Sequence, residues 1–408
     1  MDRRTVHTQR RAMKRGGPDL KIVAICQCLN LKNKELGITP AWWQILKGMH
    51  ELGAEVVAIP YYDQAVQSLW WSTYENPNMW KNKAYNVVEK AACSLHLTKN
   101  KMDFRQKNQK AIRFLVKSFV RNKWEKHLRS IIQKEKDVDA VIVFTVPLNQ
   151  FSGVPTTIRK EFGIPFVFYD GDTPTSLPSH GGLSFSFYNG ADPAEYDAFI
   201  INSKGAAKEV EDLGARKVST VYWGVDPDVF VPINDMKKIY DVGFYGIGSK
   251  LREEWMKRML VDPAANSHQS ARFAACGKAF DIPMGSVQLL DPDSTPYRKF
   301  SSQTKINLSI VRKPHATVYA SSTSRIFEQA SMGSCVVSNP YEGIDEWFEP
   351  GREVLVAKDD RELSELYTWL LSDEEARMKL GKCARERVLK EHTHRHRAQQ
   401  ILNVLNNL

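Results

Sequence analysis

Short apolar runs alternate with segments of helical periodicity along most of the chain. LKIVAIC, residues 20–26, is continuously apolar after Lys21 and predicts a strand buried on both faces. Thr39 and Pro40 suit the N-cap and first position of a helix over AWWQILKGMHELG, which stops at Gly53. AEVVAIPYY predicts the next strand and completes a βαβ unit of a parallel sheet. The alternation resumes with strands DAVIVFT, IPFVFYDGD and DAFIINS, a helix over 205–213, and the strand KVSTVYWGVD. After Pro232 it restarts: YDVGFYG, ARFAACG, VQLLD, KINLSIV, SCVVS and EVLVA predict strands, and SKLREEWMKRML and SRIFEQASMG predict helices. Helices over about 361–371, 373–389 and 394–405 close the chain. The pattern predicts two consecutive α/β halves joined near Pro232, with a cleft between the carboxyl ends of their sheets, where open α/β sheets bind ligands.

Two stretches interrupt the alternation. Residues 63–97 are irregular and rich in aromatics, including Trp70, Trp71, Tyr74 and Trp80, which suit either a satellite core or a stacking platform for an acceptor. Phe104–Lys134 predicts a long helix with an apolar stripe at Ile112, Leu115, Val116, Phe119 and Val120. Residues 99–136 hold thirteen Lys/Arg against three acids, which suits a solvated face or a docking surface for an anionic partner, DNA or membrane.

Composition narrows the class. The 408 residues are 42% hydrophobic and 25% charged, as in globular proteins, and no apolar run approaches a membrane span. Residues 1–18 read as a basic flexible tail without the apolar core of a secretory signal. The six cysteines are scattered and lack zinc-type spacing, which points to a reducing cytoplasm. The net charge of +10 favours anionic ligands.

The chemistry concentrates in STSRIFEQASMGSCVVS, residues 322–338. Ser322, Thr323 or Ser324 can cap a helix whose free N–H groups attract phosphate. Arg325 in the first turn can grip a diphosphate with two hydrogen bonds. Glu328, one turn on, shares its face and can accept from two ribose hydroxyls. An isolated R-x-x-E is more often a surface ion pair, so the surrounding sequence has to decide.

Residues 325–402, with R-x-F-E, EPGREV and EHT…HRA, resemble the C-terminal module of group 1 glycosyltransferases, closest to the spore-maturation-protein-like branch. The likeness extends over about 237–408, and Gly224–Pro232 resembles the family's linker, G-V-D-x-x-x-F-x-P. It implies an α/β GT-B fold: two Rossmann-like domains facing a central cleft, with the C-terminal helix crossing back to the first. The divisions it suggests are 19–232 for the acceptor side, 233–390 for the nucleotide sugar and 391–408 for the returning helix. The implied activity is a hexosyltransferase-like transfer from a nucleotide-diphosphate sugar, by default a UDP-sugar, to a hydroxyl acceptor. It implies retention, with no metal and no further cofactor. By position, Glu328 holds the ribose, Arg325 contacts the diphosphate, and Gly246, Gly248, Lys250 and Arg252 resemble a second phosphate loop, with Ser324 beside it. Arg252 and Arg325 would offset charge on the leaving diphosphate. An ordinary basic first turn explains Lys250 and Arg252 equally well. Many relatives carry a further glutamate where this chain has Ala320, so sugar contacts would come from His315 or the backbone of 319–322.

Asp170-Gly171-Asp172 is a D-x-D at a strand end facing the predicted cleft. Its carboxylates suit sugar or acceptor contacts, a general base if the reaction inverts, or simple capping of the turn into Thr173-Pro174. His180 is a surface histidine or a site residue. His392, His394 and His396 mark a helix boundary more plausibly than a metal site. Competing readings are a transferase acting on modified nucleic acid, a nucleic-acid-binding protein using 104–134, and a sugar-nucleotide epimerase-like or nicotinamide enzyme. Against the last, 26–34 contains no glycine for a G-x-G-x-x-G turn.

Overall fold

A computed structural model describes residues 20–29, 41–78, 120–180, 187–188, 190–266, 271–280 and 282–408. The first sheet contains β1 (Lys21–Cys26), β2 (Glu55–Pro60), β3 (Ser72–Thr73), β4 (Ala140–Phe144), β5 (Phe166–Asp170), β6 (Ala198–Ile201) and β7 (Val218–Thr220). It runs β3-β2-β1-β4-β5-β6-β7, all parallel. The second contains β8 (Tyr240–Ile247), β9 (Phe273–Lys278), β10 (Gln288–Leu290), β11 (Thr304–Ser309), β12 (Cys335–Ser338) and β13 (Leu355–Val356), in the order β10-β9-β8-β11-β12-β13, again parallel. The continuous apolar runs are central strands: every residue of β4 and β5 is buried, as helix-covered parallel sheets require. Each sheet reverses its order once, between β1 and β4 and between β8 and β11, and those points open the crevices that hold ligands.

Helix α1 (Ala41–Glu51) follows β1, and α2 (Arg121–Glu135) and α3 (Val154–Phe162) flank β4 in sequence. In the second half, α4 (Lys313–Thr317) and α5 (Ser324–Ser331) lie between β11 and β12. The chain ends in α6 (Glu374–Glu391) and α7 (His394–Asn406). Thr393 and His396 form a capping box that starts α7 one turn after α6 stops. The last helix packs against α1, and Ala398, Ile401, Leu402 and Leu405 share a core with Leu46 and Met49. Gly48 permits the approach, since a Cβ there would lie 2.9 Å from the His394 carbonyl oxygen.

Several expectations change in detail. The helix expected over 249–260 begins at Glu253, then passes through a π-helical stretch, Lys257–Val261, into Asp262–Asn266. Only Val218–Thr220 of the strand expected near 217–226 pairs; beyond it Val225 bridges Thr393 instead. In its described part the aromatic stretch contributes core: Trp71 is buried edge-on against Trp43 at 4.7 Å, and the Tyr74 hydroxyl donates to Glu135. Trp80, Thr39, Pro40, the tail 1–18 and the basic run before Val120 lie outside the described residues. In its described part, Arg121 pairs with Glu125 at 2.7 Å and Arg129 with Glu161 at 2.6 Å. Cys26, Cys28, Cys276, Cys335 and Cys383 are free thiols. No helix among the described residues is long and apolar enough to cross a membrane.

Candidate active site

The carboxyl ends of β8 and β11 open on a cavity of about 190 Å³ between the two halves. Gly246, Arg252, Arg312, His315, Thr323, Ser324 and Arg325 line it from the second half, and Gly171, Asp172 and Trp223 from the first. The halves meet beside it, where Asn202 Nδ2 donates to the Ser322 carbonyl at 2.8 Å and the Ser203 and Ser321 hydroxyls lie 2.6 Å apart.

Backbone carbonyls position two of the arginines. Arg252 donates through Nε to Ile310 O at 2.9 Å and through Nη1 to Ile247 O at 3.0 Å. Burial, then the charges of Arg312 and Arg325, lowers its pKa to about 9. Arg325, second residue of α5, donates to Tyr245 O, and its guanidinium carbon lies 4.7 Å from the centre of the Tyr297 ring. Tyr297 in turn stacks on Tyr245 at 4.4 Å, so the guanidinium rests on a fixed aromatic floor.

Glu328 sits one turn along α5 and is 3% exposed. Its Oε2 is 3.8 Å from Arg325 Nε and accepts no hydrogen bond among the described residues. Burial pushes its carboxyl above the usual range despite the arginine. Thr323 is the N-cap of α5, yet its side chain makes no capping bond, and its buried Oγ1 meets no partner within hydrogen-bond distance among the described residues. Ser322 is committed elsewhere, accepting from Trp223 N at 2.9 Å and donating to Asn202 O at 3.1 Å. The start of α5 is therefore uncapped where it meets the cavity, a position that favours an anion.

Arg312 and His315 come from the start of α4. Arg312 Nη2 lies 3.3 Å from Asp172 Oδ1 and 3.4 Å from His315 Nε2. His315 is 1% exposed, and burial, with Arg312, Arg252 and His180 nearby, holds its pKa well below the usual value. With Nε2 facing the guanidinium as acceptor, the ring proton belongs on Nδ1, which finds no partner among the described residues.

The structure thus brings Gly246, Arg252, Ser324, Arg325 and Asp172 to one cavity, with Glu328 beside Arg325. Three residues expected there are elsewhere. Gly248 serves a close approach, its Cβ position being 2.4 Å from Ala279 O. Lys250 is exposed and off the cavity, because the chain turns at 249–252, where Arg252 N bonds Ser249 O at 2.8 Å. Asp170 does not face the cleft at all. Its fully buried carboxylate accepts from Ser176 Oγ at 2.7 Å, Tyr188 OH at 2.8 Å and Asp172 N at 3.0 Å, so it organises the turn. His180 does not line the cavity, and the glycines after it lie outside the described residues.

Burial raises the Asp170 pKa from 3.8 to about 6. Between those values the folded chain holds a proton that the unfolded chain releases, so this group's contribution to stability falls as pH rises from about 4 to 6. Relative to wild type, Asp170→Asn should gain roughly 2 kcal/mol between pH 4 and pH 7. Parallel stability–pH curves, measured by urea unfolding, would contradict this.

Sequence reasoning did not single out Arg312, Trp223, Tyr245 or Tyr297. Arg312 carried a usable signal: it is the first cation after β11, a strand at the order reversal. The histidines at 392–396 are structural. His392 bonds Trp347 O at 3.0 Å, His394 Nε2 lies 2.9 Å from Glu51 Oε2, and His396 closes the capping box.

Residues 252–403 match the family model described as glycosyl transferase-like. The C-terminal half is therefore similar to glycosyltransferase domains. The sucrose-phosphate synthase of Thermosynechococcus elongatus superposes with a TM-score of 0.62 at 12% identity, covering 95% of this chain and 98% of that one. Anabaena HepE in complex with UDP gives 0.57 at 13% identity, covering 95% and 100%. The trehalose-6-phosphate synthase OtsA gives 0.58 at 10% identity, covering 96% and 99%. At such identities the likeness establishes the fold, which is GT-B. No curated protein matches the chain by sequence.

Proposed function

We propose that the chain transfers a sugar from a nucleoside-diphosphate sugar to a hydroxyl acceptor, with retention and without metal. One observation carries this reading: three guanidiniums converge on a cavity at the strand-order reversal, beside a buried carboxylate oxygen with no donor among the described residues. Gathering Arg252, Arg312 and Arg325 is costly unless an anion compensates them, and a diphosphate is such an anion. The Glu328 Oε2 then meets the ribose hydroxyls it needs. Uridine is the base we assign, since HepE was solved with UDP and with UDP-glucose.

The acceptor enters from the first half, past Asp172 and Trp223, and the work divides at 232: acceptor side 19–232, donor side 233–390, returning helix 391–408. Retention and the spore-maturation-like branch rest on the family resemblance. The metal-free reading is supported by Asp170, whose inward carboxylate leaves the D-x-D without its second ligand. We place the reaction in the cytoplasm on the scattered free thiols.

A thermal-shift screen with UDP, GDP, ADP and TDP, with and without EDTA, tests the reading. At a hundredfold excess over Kd the bound state gains about 2.7 kcal/mol, and melting should move upward by a few degrees with UDP. EDTA should leave the shift intact, and Glu328→Ala should remove it. Absence of any shift, or a shift that needs metal, would refute the donor assignment.

A further inference from the structure

The three cavity arginines are not equivalent. Arg252 is tied to two carbonyls and Arg325 to a carbonyl and an aromatic floor, so both are held by the second half itself. Arg312 is different. Its Nε is buried and has no hydrogen-bond partner among the described residues, and both of its Nη2 contacts are long, 3.3 Å to Asp172 and 3.4 Å to His315. A guanidinium offers five N–H donors, and most of those on Arg312 are unspent. Its one charged partner among the described residues, Asp172, comes from the other half of the molecule and lines the same cavity. That pair is a poor resting place: a single contact in place of the two parallel bonds an arginine makes with a well-placed carboxylate or phosphate.

Resting on the donor reading above, we propose that Arg312 is a diphosphate ligand held in reserve by Asp172, and that the incoming donor takes the guanidinium from the carboxylate. Asp172 is then a competitor of the donor rather than one of its ligands. Its charge keeps Arg312 paired while the cavity is empty, and the same contact ties the two halves across the cleft. When the diphosphate arrives, Nε and the Nη groups turn to its oxygens, the bridge between the halves opens, and the Asp172 carboxylate is released toward the acceptor side. His315, whose Nε2 accepts from Arg312, steers the guanidinium without adding a second positive charge.

Two opposite effects and their coupling follow. Binding of UDP and of inorganic pyrophosphate is measured by calorimetry for wild type, Arg312→Gln, Arg312→Lys, Asp172→Asn and the double variant Asp172→Asn/Arg312→Gln. Arg312→Gln should weaken both ligands roughly 10–100-fold, the worth of a charged hydrogen-bond pair. Arg312→Lys, which keeps the charge and loses the fork, should recover part of that. Asp172→Asn should tighten binding about 3–10-fold, and this gain should vanish in the double variant, because the competitor acts only through Arg312. Weaker binding by Asp172→Asn, unchanged binding by Arg312→Gln, or a gain that persists in the double variant would overturn this inference while leaving the donor site standing. Failure of wild type to bind any of UDP, GDP, ADP and TDP would overturn both.

Discussion

Arg325→Ala should lower the affinity for UDP about a hundredfold and slow the release of UDP from UDP-glucose by more than that. Three features of the site set this magnitude. The guanidinium is immobilised between Tyr245 O and the Tyr297 ring, so it meets the ligand with little ordering left to lose. It stands in the first turn of a helix whose N-cap side chain caps nothing, so charge and helix amides act on the same anion. Charge on the leaving diphosphate grows as the glycosidic bond breaks, so the interaction strengthens in the transition state, and losing one such group typically costs about 10²–10³ in kcat. The substitution also acts on Glu328. Arg325 is the cation opposing the effect of burial on that carboxyl, so without it the pKa rises further and the charged form that accepts from the ribose is disfavoured. Arg325→Lys should recover only part of the loss, because an ammonium lacks the fork and stacks poorly. Isothermal calorimetry with UDP decides the point: a change below about threefold in Arg325→Ala, with melting temperature unaltered, would remove Arg325 from the donor site.

The architecture was legible because parallel sheets announce themselves locally. IVAIC, AVIVF and FVFY are continuous apolar runs of strand length, and the helix after the first of them stops before Gly53, whose φ is +90. The R-x-x-E of α5 was legible for the same reason, since one turn of helix links its two residues whatever surrounds it. What stayed hidden depends on contacts between distant segments. Asp170 and Asp172 are two residues apart at the end of one strand, yet one turns into a core containing Ser176 and Tyr188 and the other meets Arg312, 140 residues away. No local pattern separates them. Lys250 and Arg252 pose the same problem, because a turn of the backbone decides which cation reaches the cavity. Ala320 adopts φ +48, and its N–H bonds Glu342 O at 2.9 Å. That conformation is visible only once α5 and the loop after β12 are placed side by side.

Gly277→Ala is the change with the largest expected structural effect, and it carries into the site. Gly277 pairs directly with Gly246 across β8 and β9. A Cβ at 277 would lie 1.7 Å from Gly246 O, and the residue holds φ +155, which side-chain-bearing residues avoid. The obstacle is backbone, so no rotamer relieves it and the strands must part. Overpacking and backbone strain of this kind cost about 2–5 kcal/mol together. The strand that moves is β8, whose end supplies Tyr245 O to Arg325 and Ile247 O to Arg252, so one added methyl disturbs the seats of two arginines. Gly163→Ala separates strain from displacement, since Gly163 has φ +71 with no atom within 4 Å of its Cβ position. That variant should lose some stability and keep the full UDP-induced rise in melting temperature. Gly277→Ala should melt several degrees lower still and lose most of that rise. If both variants melt alike and respond alike to UDP, the register of β8 against β9 does not hold the donor arginines in place, and α5 must position Arg325 while the turn at 249–252 and Ile310 O position Arg252.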